Sequence, residues 1–160
     1  MATADEALLG IDLGTASVKL LVGGPDGQVF HRACLPGKSN PLASLLQVLS
    51  SLEEHLPQCS RVKIGLTGGG RSLLAGVDSV LSVNEVVATA LAVRSVCAEA
   101  RSIIDLGGQF SRWILLGQGK QSASVVDFAS NGLCAAGSRA FLEEQASRLQ
   151  MTVESLGQMA

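Results

Sequence analysis

Residues 8–24 read LLGIDLGTASVKLLVGG, and residues 102–119 read SIIDLGGQFSRWILLGQG. Each stretch predicts a strand, a tight turn and a second strand, because apolar runs flank a glycine-containing break. The tetrapeptide IDLG at 11–14 recurs at 104–107, Ser17 matches Ser111, and KLLVGG matches WILLGQ. The chain therefore contains an internal repeat, and a repeat sets the architecture of a fold.

The first copy continues with further elements. GPDG at 24–27 predicts a hairpin turn into a third strand, and Asn40 with Pro41 predicts a helix start. Five leucines then recur at helical spacing and predict one face packed on a sheet: Leu42, Leu45, Leu46, Leu49 and Leu52. A strand ending in glycines (61–68) and a largely buried helix (83–100) follow.

The second copy repeats the meander and ends earlier. Its third strand is predicted at 122–129 and its helix at 138–150, and Thr152 is expected to cap another helix. We therefore expect an α/β fold of duplicated units, divided into subdomains at 1–101 and 102–160. The first copy's later strand and helix have no counterpart in the second, so we expect the second subdomain to be incomplete and the chain to be the N-terminal part of a longer protein.

Composition gives no indication of nucleic acid or a membrane as a partner. The formal net charge is −2, without a Lys/Arg-rich stretch, and the start of the chain lacks the features of a secretory signal. The four cysteines are scattered, with no C-x-x-C pair: Cys34, Cys59, Cys97 and Cys134. They are most simply reduced thiols in the cytoplasm.

An aspartate at a strand end followed by a glycine turn suits a phosphate site. Glycine lets backbone N–H groups approach an anion, and the carboxylate can hold Mg²⁺ through water. A single D-L-G-T turn is explained better by a structural hairpin, but two matched copies favour binding. No G-K-[ST] follows a glycine loop, and GLTGGGR does not lead into the βαβ unit of a dinucleotide fold.

Two matched hairpins resemble the ATP clamp of the actin, hexokinase and Hsp70 superfamily, whose members have the actin-like ATPase (ribonuclease H-like) fold. By that resemblance Asp12 and Asp105 would help to place Mg²⁺ and the attacking water. The remaining residues of the two phosphate loops would be Gly14, Thr15, Ala16 and Lys19 in the first, and Gly107, Gly108 and Gln109 in the second.

Several motifs resemble one branch of this superfamily, the activators of 2-hydroxyacyl-CoA dehydratases and the ATPase subunits of benzoyl-CoA reductase (BadF/BadG/BcrA/BcrD type). IIDLGGQFS is similar to their I-D-I-G-G-Q-D-S-K, LTGGGR to T-G-Y-G-R, and NEVVATA to E-I-x-x-H-A. NGLCAAGSRAFLE resembles N-D-K-C-A-A-G-T-G-R-F-L-E. The order of these motifs is also that of the family.

The resemblance implies a homodimer with a [4Fe–4S] cluster on its two-fold axis. Cys134 would be the first of two ligands from each subunit. ATP hydrolysis would then drive a low-potential electron into a partner dehydratase or reductase, carried by a separate enzyme or a fused domain. A buried, inert cysteine is the alternative interpretation of Cys134.

The chain departs from the family pattern at four positions. Phe110 stands where the family has Asp, Arg112 replaces Lys, Thr89 replaces His, and Arg139 replaces Gly. Phe110 and Arg139 favour a second hypothesis, a non-catalytic module that binds nucleotide or protein through the same fold. A third, a small-molecule kinase of the superfamily, is disfavoured because such kinases have no use for C-A-A-G at this helix.

Overall fold

The protein is known from a computed structural model, which describes residues 5–36, 41–52, 59–74, 76–108, 110–117, 124–131 and 138–159. The chain divides into two compact units, Met1–Ala88 and Thr89–Ala160. Both contain a sheet and helices, so the α/β class predicted from the sequence is confirmed. The subdomain ranges 1–101 and 102–160 stay a prediction.

The first unit is built on a five-stranded sheet in the order β3-β2-β1-β4-β5. Its strands are β1 (Glu6–Leu13), β2 (Ser17–Gly23), β3 (Val29–Pro36), β4 (Arg61–Thr67) and β5 (Val80–Ser82). Its helices are α1 (Pro41–Ser50), a 3-10 helix (Gly69–Leu74) and the start of α2 (Glu85–Val96). The sequence does not predict β5 or the 3-10 helix, because each is too short for a periodic pattern.

The pairing of β1 decides where functional side chains gather. β1 runs antiparallel to β2 and parallel to β4, and Asp12 is the register partner of both Lys19 and Thr67. Because parallel strands end at the same edge of a sheet, the hairpin after β1 and the glycines after β4 lie side by side.

Alternate residues of β1 and β2 form the core of the first unit together with one face of α1. Leu45 and Leu52 point into this core, whereas Leu42 and Leu46 are 42% and 65% exposed, so the predicted five-leucine face is wrong at these two positions. Each residue turns a helix by about 100°, which carries Leu46 to the flank while Val48 takes its place in the core.

The second unit contains the antiparallel sheet β6-β7-β8. Its elements are β6 (Ser102–Leu106), β7 (Ser111–Leu116), β8 (Val125–Ser130), α3 (Ser138–Arg148) and α4 (Val153–Gln158). Thr152 caps α4 as predicted, because its hydroxyl accepts a hydrogen bond from the Ser155 amide. None of the helices within the described ranges is long and apolar enough to cross a lipid bilayer.

The two copies of the repeat have hairpins of equal length. Leu13 pairs with Val18 across residues 14–17, and Leu106 pairs with Ser111 across residues 107–110. Val18, not Ser17, is therefore the structural counterpart of Ser111, and the predicted match is wrong by one residue. The same register makes Lys19 the counterpart of Arg112.

Equivalent sheet faces differ in burial between the two units. Ile11 and Leu13 are 5% and 1% exposed in the first copy, whereas their counterparts Ile104 and Leu106 are 75% and 66% exposed. Helix α2 is also less buried than predicted, since Val96 is 85% exposed.

Candidate phosphate-binding site

The first hairpin joins a carboxylate and an ammonium group at the end of β1. Asp12 Oδ2 lies 2.8 Å from Lys19 Nζ, and the two side chains are 33% and 56% exposed. Exposed pairs of this kind contribute about 1 kcal/mol or less, so a phosphate or cation can compete for either partner at little cost. Thr15 and Ala16 form the tip of the same loop.

The second hairpin repeats the pair with different packing. Asp105 Oδ2 lies 3.6 Å from an Arg112 guanidinium nitrogen, and the Arg112 side chain is only 14% exposed. The guanidinium carbon lies 5.1 Å from the centre of the Phe110 ring. Phe110 therefore gives Arg112 an aromatic face, where the family motif would supply a carboxylate.

Both loops leave little room for a side chain at their first position. A Cβ at Gly14 would lie 2.8 Å from the Ser17 carbonyl oxygen, and one at Gly107 would lie 3.0 Å from the Phe110 carbonyl oxygen. The Gly107 amide donates to that Phe110 oxygen at 2.8 Å. The matching close approaches support the internal repeat in three dimensions.

A third segment, the glycine turn after β4, reaches the first hairpin. Gly68 has φ +97°, and a Cβ there would lie 2.5 Å from the carbonyl carbon of Leu13 and 2.7 Å from Asp12 Oδ1. The run LTGGGR signals this turn in the sequence, but its contact with Asp12 depends on the parallel pairing of β1 and β4.

Thr67 adds a hydroxyl group beside Asp12. The two residues are register partners in neighbouring parallel strands, so their side chains lie on the same face. Thr67 Oγ1 is buried and has no hydrogen-bond partner in the described part of the chain. A buried hydroxyl without a partner beside a carboxylate fits a site for phosphate or hydrated Mg²⁺, both of which bind such oxygen groups.

Asn131 stabilises the loop end of the second hairpin. Its side-chain Oδ1 accepts a hydrogen bond of 2.8 Å from the Ser111 backbone amide. Its backbone amide donates to the Ser111 carbonyl oxygen at 3.1 Å. This residue opens the NGLCAAG motif, so the motif begins beside the loop end of the hairpin. Sequence reasoning assigns Asn131 no such role.

The predicted site residues fall into two groups and an undescribed remainder. The first unit brings together Asp12, Gly14, Thr15, Ala16 and Lys19, and the second brings together Asp105, Gly107 and Gly108. Gln109 and Cys134 lie outside the described residues. Within the described ranges, no group of three His, Cys, Asp or Glu side chains could hold a metal ion.

A cavity of about 490 Å³ is lined by residues of β4, the 3-10 helix and β5. Its walls combine apolar side chains, such as Leu66 and Val80, with the polar side chains of Arg71, Ser72 and Ser82.

The fold is the actin-like ATPase fold, as predicted. The solved structure of the activator of 2-hydroxyisocaproyl-CoA dehydratase from Clostridium difficile, with bound ADPNP, superposes with a TM-score of 0.79 at 25% identity. The match covers 95% of this chain and 55% of the other.

Residues 9–160 match the BadF/BadG/BcrA/BcrD ATPase family, and the chain belongs to that family. It is 32% identical over 158 residues to the 2-hydroxyisocaproyl-CoA dehydratase activator of Clostridioides difficile, covering 95% of this chain and 56% of the relative. It is also 32% identical over 148 residues to the uncharacterised Escherichia coli protein YjiL, covering 92% and 55%. The chain thus spans little more than half the length of these relatives, and the resemblance noted from its motifs is confirmed.

Proposed function

We propose that this chain supplies the ATP-binding part of an ATPase that activates a CoA-ester dehydratase or reductase. The observation that carries the proposal is the Asp12–Lys19 hairpin, closed by the glycine turn at 68–70, in a chain whose solved relative binds ADPNP. An anionic phosphate suits this edge, because backbone amides and Lys19 are positive and Asp12 with Thr67 can take a hydrated cation.

Each residue has a role under this proposal. Asp12 and Asp105 place Mg²⁺ and the attacking water, and Lys19 meets a phosphate oxygen. The loop residues contribute backbone donors and keep side chains out of the way: Gly14, Thr15, Ala16, Gly107, Gly108 and Gln109. The partner is a dehydratase or reductase, and the cytoplasmic location inferred from the cysteines remains a prediction.

Calorimetric titration with Mg²⁺–ADPNP and a phosphate-release assay with ATP test the nucleotide role. We expect saturable binding and hydrolysis above the buffer rate. A chain that is folded by circular dichroism yet binds no ADPNP would contradict the proposal.

We also propose that hydrolysis is coupled to electron transfer through a [4Fe–4S] cluster held by Cys134 in a homodimer. The support is the match of NGLCAAGSRAFLE to the family motif. Because the second ligand cysteine of the family lies beyond residue 160, the test uses the full-length protein. Its anaerobic iron–sulfur reconstitution should give visible charge-transfer absorbance in wild type and in Cys97→Ala, whose thiol is exposed, but not in Cys134→Ala. Absorbance that survives in Cys134→Ala, or is absent from wild type, would contradict this part.

The stacking of Arg112 on Phe110 favours a second candidate, a module that binds nucleotide without hydrolysing it. Phe110→Asp restores the family carboxylate beside Asp105. If Phe110 limits hydrolysis, this substitution should raise kcat by about 10-fold or more while ADPNP affinity stays within about twofold. An active wild type whose kcat does not rise would exclude the second candidate.

A further inference from the structure

Arg71 and Glu85 form an ion pair beside the first hairpin. A guanidinium nitrogen of Arg71 lies 3.9 Å from Glu85 Oε1, and the side chains are 40% and 22% exposed. Arg71 also donates to the Gly68 carbonyl oxygen at 3.4 Å, which ties it to the glycine turn. The pair therefore connects that turn to the start of α2.

The start of α2 fixes the position of Glu85. Asn84 Oδ1 accepts a hydrogen bond of 2.8 Å from the Val86 amide, and the Asn84 carbonyl accepts from Ala88 at 2.9 Å. Asn84 is thus the N-cap, and Glu85 occupies the first helical position. With its backbone capped and its carboxylate paired to Arg71, Glu85 is held in a defined position.

Gly69 leaves space between Glu85 and the first phosphate loop. A Cβ at Gly69 would lie 3.8 Å from Glu85 Oε1 and 4.0 Å from Thr15 Cγ2. Both distances are ordinary contacts, so a methyl group would fill this space without a clash. In the native chain the space is open to a small molecule that touches the carboxylate and the loop together.

We propose that Glu85 is the catalytic carboxylate of ATP hydrolysis and that Arg71 is its positioning residue. A water molecule between Glu85 and Thr15 donates a hydrogen bond to the carboxylate. As its oxygen bonds to the γ-phosphorus, the bond from phosphorus to the bridging oxygen breaks, ADP leaves with that electron pair, and Glu85 accepts the proton and passes it to solvent. This inference rests on the proposed ATPase function.

The main experiment compares Glu85→Gln with Glu6→Gln. Glu6 is a matched control, because its side chain is 17% exposed and its carboxylate pairs with Lys63 at 3.0 Å. This pair lies near the start of strands β1 and β4, at the end opposite to the first hairpin. Glu85→Gln should lower kcat by about 100-fold or more and leave ADPNP affinity within about twofold, and Glu6→Gln should change neither. A parallel loss of affinity, or a kcat within about threefold of wild type, would overturn the role.

Gly69→Ala tests the water position without altering any charge. The added methyl group should lower kcat by about 10-fold or more, whereas Gly65→Ala in β4, whose Cβ meets nothing within 4 Å, should retain full activity. Arg71→Ala should lower kcat with KM unchanged, and Arg71→Lys should restore part of it. If Gly69→Ala is as active as Gly65→Ala, the water does not lie there.

A readout without turnover separates this inference from the proposed function. ADP with aluminium fluoride mimics the phosphoryl group with the attacking water in place. Glu85→Gln and Gly69→Ala should bind it about 10-fold or more weakly than wild type, with ADPNP affinity unchanged. A wild type that binds neither ADPNP nor the ADP–aluminium fluoride mimic refutes the proposed function. If wild type is active and the variants bind both ligands with wild-type affinity, only the role of Glu85 is refuted.

Discussion

At the scale of single residues, Gly68 tolerates a side chain poorly for two separate reasons. It combines a left-handed φ of +97° with a Cβ position 2.5 Å from the Leu13 backbone and 2.7 Å from Asp12 Oδ1. Any side chain would be strained by the backbone and would also push β4 away from the end of β1.

Gly68→Ala should therefore destabilise the first unit more than Gly27→Ala does. Gly27 has φ +86° with nothing within 4 Å of its Cβ position, so it carries only the backbone strain. We expect a loss in unfolding free energy of about 1–2 kcal/mol for Gly27→Ala and about 3 kcal/mol or more for Gly68→Ala. Urea unfolding measures both, and equal losses would show that Gly68 has room for a methyl group.

The sequence shows the glycine run but not which glycine is under strain. The motif LTGGGR marks a turn, and local rules go no further. The positive φ of Gly68 arises because β4 pairs in parallel with β1, two strands separated by more than 45 residues of chain. For the same reason the sequence alone does not show that Glu85 lies near the first phosphate loop.

At the scale of secondary-structure elements, the two hairpins share the same backbone register but carry different side chains. Each has an aspartate whose register partner is a cation seven residues later, Lys19 or Arg112. Sequence identity alone pairs Ser17 with Ser111, because it contains no information about which residues face each other across the two strands. The register corrects that match, since side-chain orientation along a strand depends on it.

Asn131→Ala should loosen the second hairpin at its loop end. The Ser111 amide would lose its acceptor, at a cost of about 1 kcal/mol because this hydrogen bond is only partly buried. Asn131→Asp keeps an acceptor oxygen and is the matched control. Amide hydrogen exchange at Ser111 should be faster in the Ala variant only, and equal protection in all three proteins would show that this contact does not hold the hairpin.

At the scale of the whole molecule, the two units differ in how well they cover equivalent surfaces. In the described part of the first unit, Ile11 belongs to a buried hydrophobic core to which α1 also contributes. In the second, the counterpart Ile104 is 75% exposed. Alternating apolar residues predict the strands in both copies, but the pattern does not tell which face another element covers.

Ile11→Ala and Ile104→Ala should therefore differ widely in their effect on stability. Removing a buried isoleucine side chain costs about 2–5 kcal/mol, whereas a change at an exposed position stays within about 0.5 kcal/mol. Urea unfolding followed separately by amide exchange in each sheet measures both. A large loss for Ile104→Ala would mean that another surface covers this face in solution.

The equal length of the two hairpins has a consequence for how the chain can vary. Inserting or deleting one residue within 14–17 or 107–110 would shift the following strand by one position and turn every side chain to the opposite face. Lys19 or Arg112 would then no longer be the register partner of its aspartate. The neighbouring residue, whose side chain normally points to the other face, would replace it. A substitution within these loops leaves the register intact, whereas we expect a change in loop length to disrupt it.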